Sequence, residues 1–95
     1  MIKISRNNDE IKIIGHSGYS VEGSDIVCAS VSSIAITSIN GILKYDEKAL
    51  KYKQEDGYLE INLLKHDNII DMLIDNMFEL LNDLESQYKN YIKII

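Results

Sequence analysis

The 95-residue sequence predicts an α+β fold in which two helices pack on a mostly antiparallel sheet. Three observations carry that expectation. Two pairs of short, strand-like runs flank turn signals, at Asn7-Asn8-Asp9 and at Asp56-Gly57. Two longer stretches repeat their apolar residues at helical spacing. The chain then closes on the strand-like run Y-I-K-I-I. The expected order is β-β-α-β-β-α-β, as one domain over residues 1–95.

Each element has its own warrant. Met1 to Arg6 alternates, with Ile2 and Ile4 on one face, and Glu10 to Ile14 returns as the second strand of a hairpin. The doublet Ile13-Ile14 breaks the alternation, as a strand buried on both faces would. Ser17 to Ser24 is a loop carrying Gly18 and Gly23. A first helix is expected from Asp25 to about Leu43, with Ser24 as N-cap and Asp25 complementing the dipole in the first turn. Val27 at the third helical position excludes a capping box. Ile26, Val27, Val31, Ile34, Ala35, Ile39, Ile42 and Leu43 follow helical spacing, and Ser30, Ser33, Thr37 and Asn40 occupy other faces. Ser and Thr are mediocre helix formers, so packing must hold this helix.

The runs LKYKQ and YLEINLL flank Glu55-Asp56-Gly57 as a second hairpin, with Tyr52 expected on the face of Leu50, and Leu59, Ile61 and Leu63 sharing another. Asp67 is the expected cap of the second helix. That helix carries the stripe Ile69, Ile70, Leu73, Met77, Leu80, Leu81 and Leu84 and ends between Ser86 and Lys89. Tyr91 to Ile95 is the last strand.

Composition narrows the function classes. A chain this short buries only about 60–65% of its unfolded surface, so its stability margin is thin and a dimer would help. The net charge of -5 argues against direct nucleic-acid binding and suits a basic partner. One cysteine forms no internal disulfide. MIKISRNNDE has no apolar leader core, and no run of eighteen consecutive apolar residues occurs, so the expectation is a soluble, cytoplasmic chain with no membrane partner.

The candidate chemistry lies in GHSGYSVEGSDIVCASVSS. His16 ends an apolar strand, and Cys28, the only cysteine, follows twelve residues later in the first turn of a helix. Helix-start N–H groups and the helix dipole favour a thiolate there, and an adjacent imidazole could take its proton. A lone helical cysteine is ordinarily a buried small hydrophobe, so position alone does not make Cys28 a nucleophile. Asp25 has a sufficient role as a first-turn acid. Its functional alternatives are to orient His16 or to fix the loop. Ser32 follows Cys28 by four and shares its helical face. Gly15, Gly18 and Gly23 let the loop turn or approach a ligand closely. His66 is expected to be solvated or to open the second helix. Two histidines and one cysteine make no zinc site, and Gly23-Ser24-Asp25 lacks the lysine of a phosphate loop. Tyr88 and Tyr91 fit packing or an interface.

The run Gly15-His16-Ser17-Gly18-Tyr19, then Gly23-Ser24-Asp25-Ile26-Val27-Cys28-Ala29-Ser30-Val31-Ser32, resembles the ribosomal-processing cysteine protease family (Prp). That family's pattern is roughly G-H, a small residue, G-Y, then G-x-D-I-V-C-A-A-V-S. Ser17, Ser20 and Ser30 stand where alanine or another small residue is expected. The resemblance implies a bacterial cysteine endopeptidase that needs no cofactor, with Cys28 as nucleophile and His16 as general base and then acid. Ser32 would lie in or near the pocket. Backbone N–H groups at the start of the first helix would meet the oxyanion. The implied substrate is the N-terminal extension of large-subunit ribosomal protein twenty-seven, which ends in an apolar, phenylalanine-containing stretch and so implies a hydrophobic groove. The implied assembly is a homodimer. Two other readings remain: a non-catalytic ribosome-assembly or interaction domain of the same fold, and a thiol redox sensor, which lacks a resolving cysteine in this chain.

Overall fold

A computed structural model describes residues 1–21 and 24–95. The elements are β1 (Ile2–Asn7), β2 (Glu10–Ile14), α1 (Ile26–Tyr45), β3 (Leu50–Glu55), β4 (Tyr58–Leu63), α2 (Asn68–Gln87) and β5 (Ile92–Ile94). They form a five-stranded sheet in the order β3-β4-β2-β1-β5. All pairings are antiparallel except β1 with β5, which aligns Ile2 with Ile92 and Ile4 with Ile94.

Two tight turns set the registers. Asn8 takes a left-handed φ of 57° between β1 and β2, and Gly57 takes 66° between β3 and β4. Asn and Gly accept that region where most residues are strained. The strands then alternate: Ile2, Ile4, Ile11, Ile13, Leu59, Ile61 and Leu63 are buried, while Lys3, Lys12 and Glu60 lie on the opposite side. Ile14 is 43% exposed, so β2 is not buried on both faces. The helices cover one face only, and Ile14 ends the strand on the open one. Leu50 pairs with Leu63, and Tyr52 pairs with Ile61. All four therefore share one side of the sheet, rather than dividing between two. Tyr52 is nevertheless exposed, because β3 is an edge strand and the helices do not reach its far end. Lys51 and Lys53 on that edge discourage further strand pairing.

The helices complete the core. Val27, Val31, Ala35, Ile39 and Ile42 of α1 and Ile70, Ile74, Met77 and Leu81 of α2 are buried against the sheet and one another. Truncating one of these, such as Ile39 to alanine, costs about 2–5 kcal/mol by lost transfer energy and cavity formation. By length and mean hydropathy (1.8), α1 has the composition of a membrane-spanning helix. Its apolar stripe is instead spent on the core. Its serines are accommodated locally: Ser30 and Ser38 donate to the carbonyls of Ile26 and Ile34 at 2.7 and 2.8 Å.

The N-cap of α1 is Asp25 rather than Ser24, and the helix runs from Ile26 to Tyr45. The carboxylate reaches two backbone N–H groups, which a serine one residue earlier could not do at this geometry. Asp67 caps α2 as expected, accepting from the Ile70 N–H at 2.8 Å.

Candidate active site

The long connection from β2 to α1 carries most of the polar candidates, and it folds around Asp25. One carboxylate oxygen accepts from the Val27 and Cys28 N–H groups, both at 3.0 Å. The other accepts from the Ser17 hydroxyl and from the Tyr19 and Ser20 N–H groups, the last two at 3.2 and 3.3 Å. Burial opposes the charge on Asp25, but the bonds from Ser17, Cys28, Ser20 and Val27 outweigh it and hold the carboxyl at about 2. Of its two proposed roles, Asp25 therefore fixes the loop. Among the described residues no hydrogen bond joins it to His16, and both of its oxygens bond the loop and the helix start.

Ser17 completes this knot. It is only 3% exposed, its hydroxyl also accepts from the Tyr19 N–H at 3.1 Å, and its own N–H points at the Cys28 sulfur at 3.3 Å. Tyr19 anchors the loop from outside, with its ring edge-on to Tyr88 and Tyr91 at centroid distances of 5.6 and 5.1 Å. Tyr88 and Tyr91 thus pack, as their sequence context suggests. Gly18 takes a φ of 73° in this turn. Gly23 lies outside the described residues.

His16 is held by its main chain. Gly15 donates to the Gly57 carbonyl at 2.8 Å, and the Met1 amine donates to the His16 carbonyl at 2.6 Å. Gly15 has a φ of 103°, and a Cβ there would lie 2.5 Å from the Met1 carbonyl oxygen, so the close approach requires glycine. The imidazole lies over the β3–β4 turn. Its Nε2 is 3.8 Å from an Asp56 carboxylate oxygen, and a Cβ on Gly57 would come within 2.8 Å of the same nitrogen. Among the described residues no hydrogen bond joins His16 to Cys28.

A cavity of about 730 Å³ brings the candidates together. His16, Gly15, Gly18 and Asp25 line it from the loop, Cys28 and Ser32 from α1, and Glu55, Asp56, Gly57 and Tyr58 from the hairpin. Ile13, Ala35, Ile36 and Leu59 form its apolar part. Two of the helix-start donors expected to meet an oxyanion are already engaged. Asp25 occupies the N–H groups of Val27 and Cys28, and its carbonyl accepts from Ala29. An N-cap acid satisfies the very groups the sequence leaves open. Sequence reasoning also passed over Ser17, Asp56 and Gly57 as site residues. A hydroxyl in place of a small residue was the one visible signal for Ser17. The hairpin turn is some forty positions from His16, and nothing local announces their contact. His66 lies away from this cavity, bridging Asp9 and Asp71. Among the described residues no cluster of His, Cys, Asp and Glu is placed to hold a metal ion.

A cysteine at a helix start and a histidine at a strand end, opening on one half-apolar cleft, define the class as that of small α+β thiol proteins. The chain belongs to the family described as cysteine protease Prp, whose profile matches residues 1–93. Among curated proteins none matches by sequence. The fold is that of the essential ribosomal processing protease Prp of S. aureus, in its complex with a covalently linked product peptide (TM-score 0.87, 22% identity, covering 98% of this chain and 94% of that one). Its complex with a substrate peptide is similar (0.82, 21%, 99% and 95%). So is SMU.848 from Streptococcus mutans (0.75, 21%, 98% and 89%).

Proposed function

We propose that this protein is a cysteine endopeptidase that trims the N-terminal extension of large-subunit ribosomal protein twenty-seven. The observation that carries the reading is the shared cavity: Cys28 from α1 and His16 from the connection before it open on one cleft in a chain of the Prp family. The Cys28 thiolate attacks the scissile carbonyl carbon, and the carbonyl π electrons move to oxygen. His16 takes the thiol proton and then gives it to the departing amine, leaving a thioester. Water, deprotonated by His16, attacks that thioester, the C–S bond breaks to release the carboxyl product, and His16 returns its proton to the sulfur. For this, the imidazole turns from Asp56 toward the sulfur. Such bonds often form only once substrate is bound. The apolar lining of Ile13, Ile36 and Leu59 suits an apolar side chain next to the cleaved bond.

Support for a peptide substrate also comes from the S. aureus relative, which holds peptides in two structures. We further read the protein as a cytoplasmic homodimer. Exposed Ile69, Met72 and Leu80 on α2 leave apolar surface for a second copy, which sedimentation would detect. The deciding experiment is cleavage of a peptide spanning the extension junction by wild type, Cys28→Ala and His16→Ala. Loss in both variants with intact folding supports the reading. No cleavage by folded wild type overturns this substrate and favours the non-catalytic assembly domain.

A further inference from the structure

We infer that Ser17 is a positioning residue that aims its own backbone N–H at the Cys28 sulfur and shields that sulfur from the charge of Asp25. The inference rests on Cys28 being the nucleophile. Three contacts converge on Ser17. Its hydroxyl donates to the Asp25 carboxylate, the same oxygen accepts from Tyr19, and its N–H lies 3.3 Å from the sulfur. The hydroxyl and the N–H of this buried residue are thereby committed.

The need for such a residue follows from the cap. Asp25 consumes the N–H groups of Val27 and Cys28, so the helix start offers the sulfur little compensation for a carboxylate close by. The other charged or titratable groups lining the cavity are His16 from the loop and Glu55, Asp56 and Tyr58 from the β3–β4 hairpin. Glu55 and Asp56 are carboxylates, which disfavour an anion, and the Tyr58 hydroxyl donates to Glu60 at 2.7 Å. Ser17 acts against this in two ways. Its hydroxyl draws the Asp25 charge toward the loop, and the resulting tether keeps the N–H directed at sulfur.

The test is the rate of Cys28 alkylation by iodoacetamide in wild type, Ser17→Ala and Ser17→Thr, near neutral pH and again near pH 10, with thermal melts as the folding control. Expected is a loss of about threefold to tenfold for Ser17→Ala near neutral pH, the scale of one charge-linked hydrogen bond partly lost. That difference should close near pH 10, where thiols are about fully ionised. Ser17→Thr keeps the hydroxyl and should retain most of the wild-type rate. An unchanged neutral rate in Ser17→Ala overturns the inference. So does an equal loss at both pH values, which would mean altered access rather than an altered thiolate. Alkylation needs no peptide substrate, so a failed cleavage assay and a failed Ser17 effect are separate results.

Discussion

Two junctions of this fold perform the same task with different outcomes. Each carries the chain from a strand into a twenty-residue helix, and each holds one histidine and one capping aspartate. Between β4 and α2 the connection is short and its side chains are saturated. Asp67 accepts from the Ile70 N–H and the Tyr45 hydroxyl, and His66 sits between Asp71 at 2.8 Å and Asp9 at 2.7 Å. Between β2 and α1 the connection is longer. Asp25 is saturated there too, but among the described residues the His16 imidazole has only the Asp56 carboxylate at 3.8 Å, and it opens on the cavity that Cys28 lines. A histidine clamped by two carboxylates is a strut. One left at the mouth of a cleft can exchange protons with whatever enters.

The contrast can be broken at its strongest point first. Asp25→Ala removes the cap and the knot of loop hydrogen bonds together. It should lower the melting temperature by about 5 °C and slow peptide cleavage by at least about tenfold, read by calorimetry and by a peptide cleavage assay. Gly57→Ala comes next. The new Cβ would meet the imidazole at 2.8 Å and would sit at a φ of 66°. We expect kcat to fall by about tenfold through displacement of His16, with alkylation of Cys28 little changed. Equal losses in both assays would show that the turn shapes the whole cleft and not the base alone.

A pH titration of stability separates the junctions further. Asp71, then Asp9, raise the pKa of His66 above 6.5. Its contribution is therefore fully present below the unfolded value of about 6.5 and is lost as pH rises through the folded one. Asp25 has the opposite sign. Its contribution is present above 3.8 and is lost as pH falls through about 2. Denaturation midpoints should fall as pH rises above about 6.5, and His66→Gln should flatten that slope. Asp67→Ala should have the smallest effect. It costs α2 its cap and about 5 °C or less of melting temperature, while Cys28 alkylates at the wild-type rate.

Much of this molecule was legible in its sequence, because the governing interactions are local. Alternation placed β1 and β2, Asp56-Gly57 placed the second hairpin, and the stripe from Ile69 to Leu84 placed α2 with its cap at Asp67. The string around His16 and Cys28 was enough to name a family that the profile over residues 1–93 bears out. Ser24 and Asp25 are both good caps on paper. What chose between them is that Asp25 can also collect Ser17, Tyr19 and Ser20, contacts that exist only once the loop has turned back on itself. The doublet Ile13-Ile14 misled because no periodicity says which face the helices leave uncovered.

The sequence by itself determined the element order, the Asp67 cap of α2 and the string that marks the family. Those depend on side-chain spacing over a few positions. The tertiary structure decided which donors are spent and which remain. It set Asp25 against the loop instead of against His16, laid the imidazole over Gly57, and aimed the Ser17 N–H at sulfur. Those outcomes depend on groups far apart in the chain competing for the same few hydrogen bonds, and that competition is settled only when the sheet and helices have closed around them.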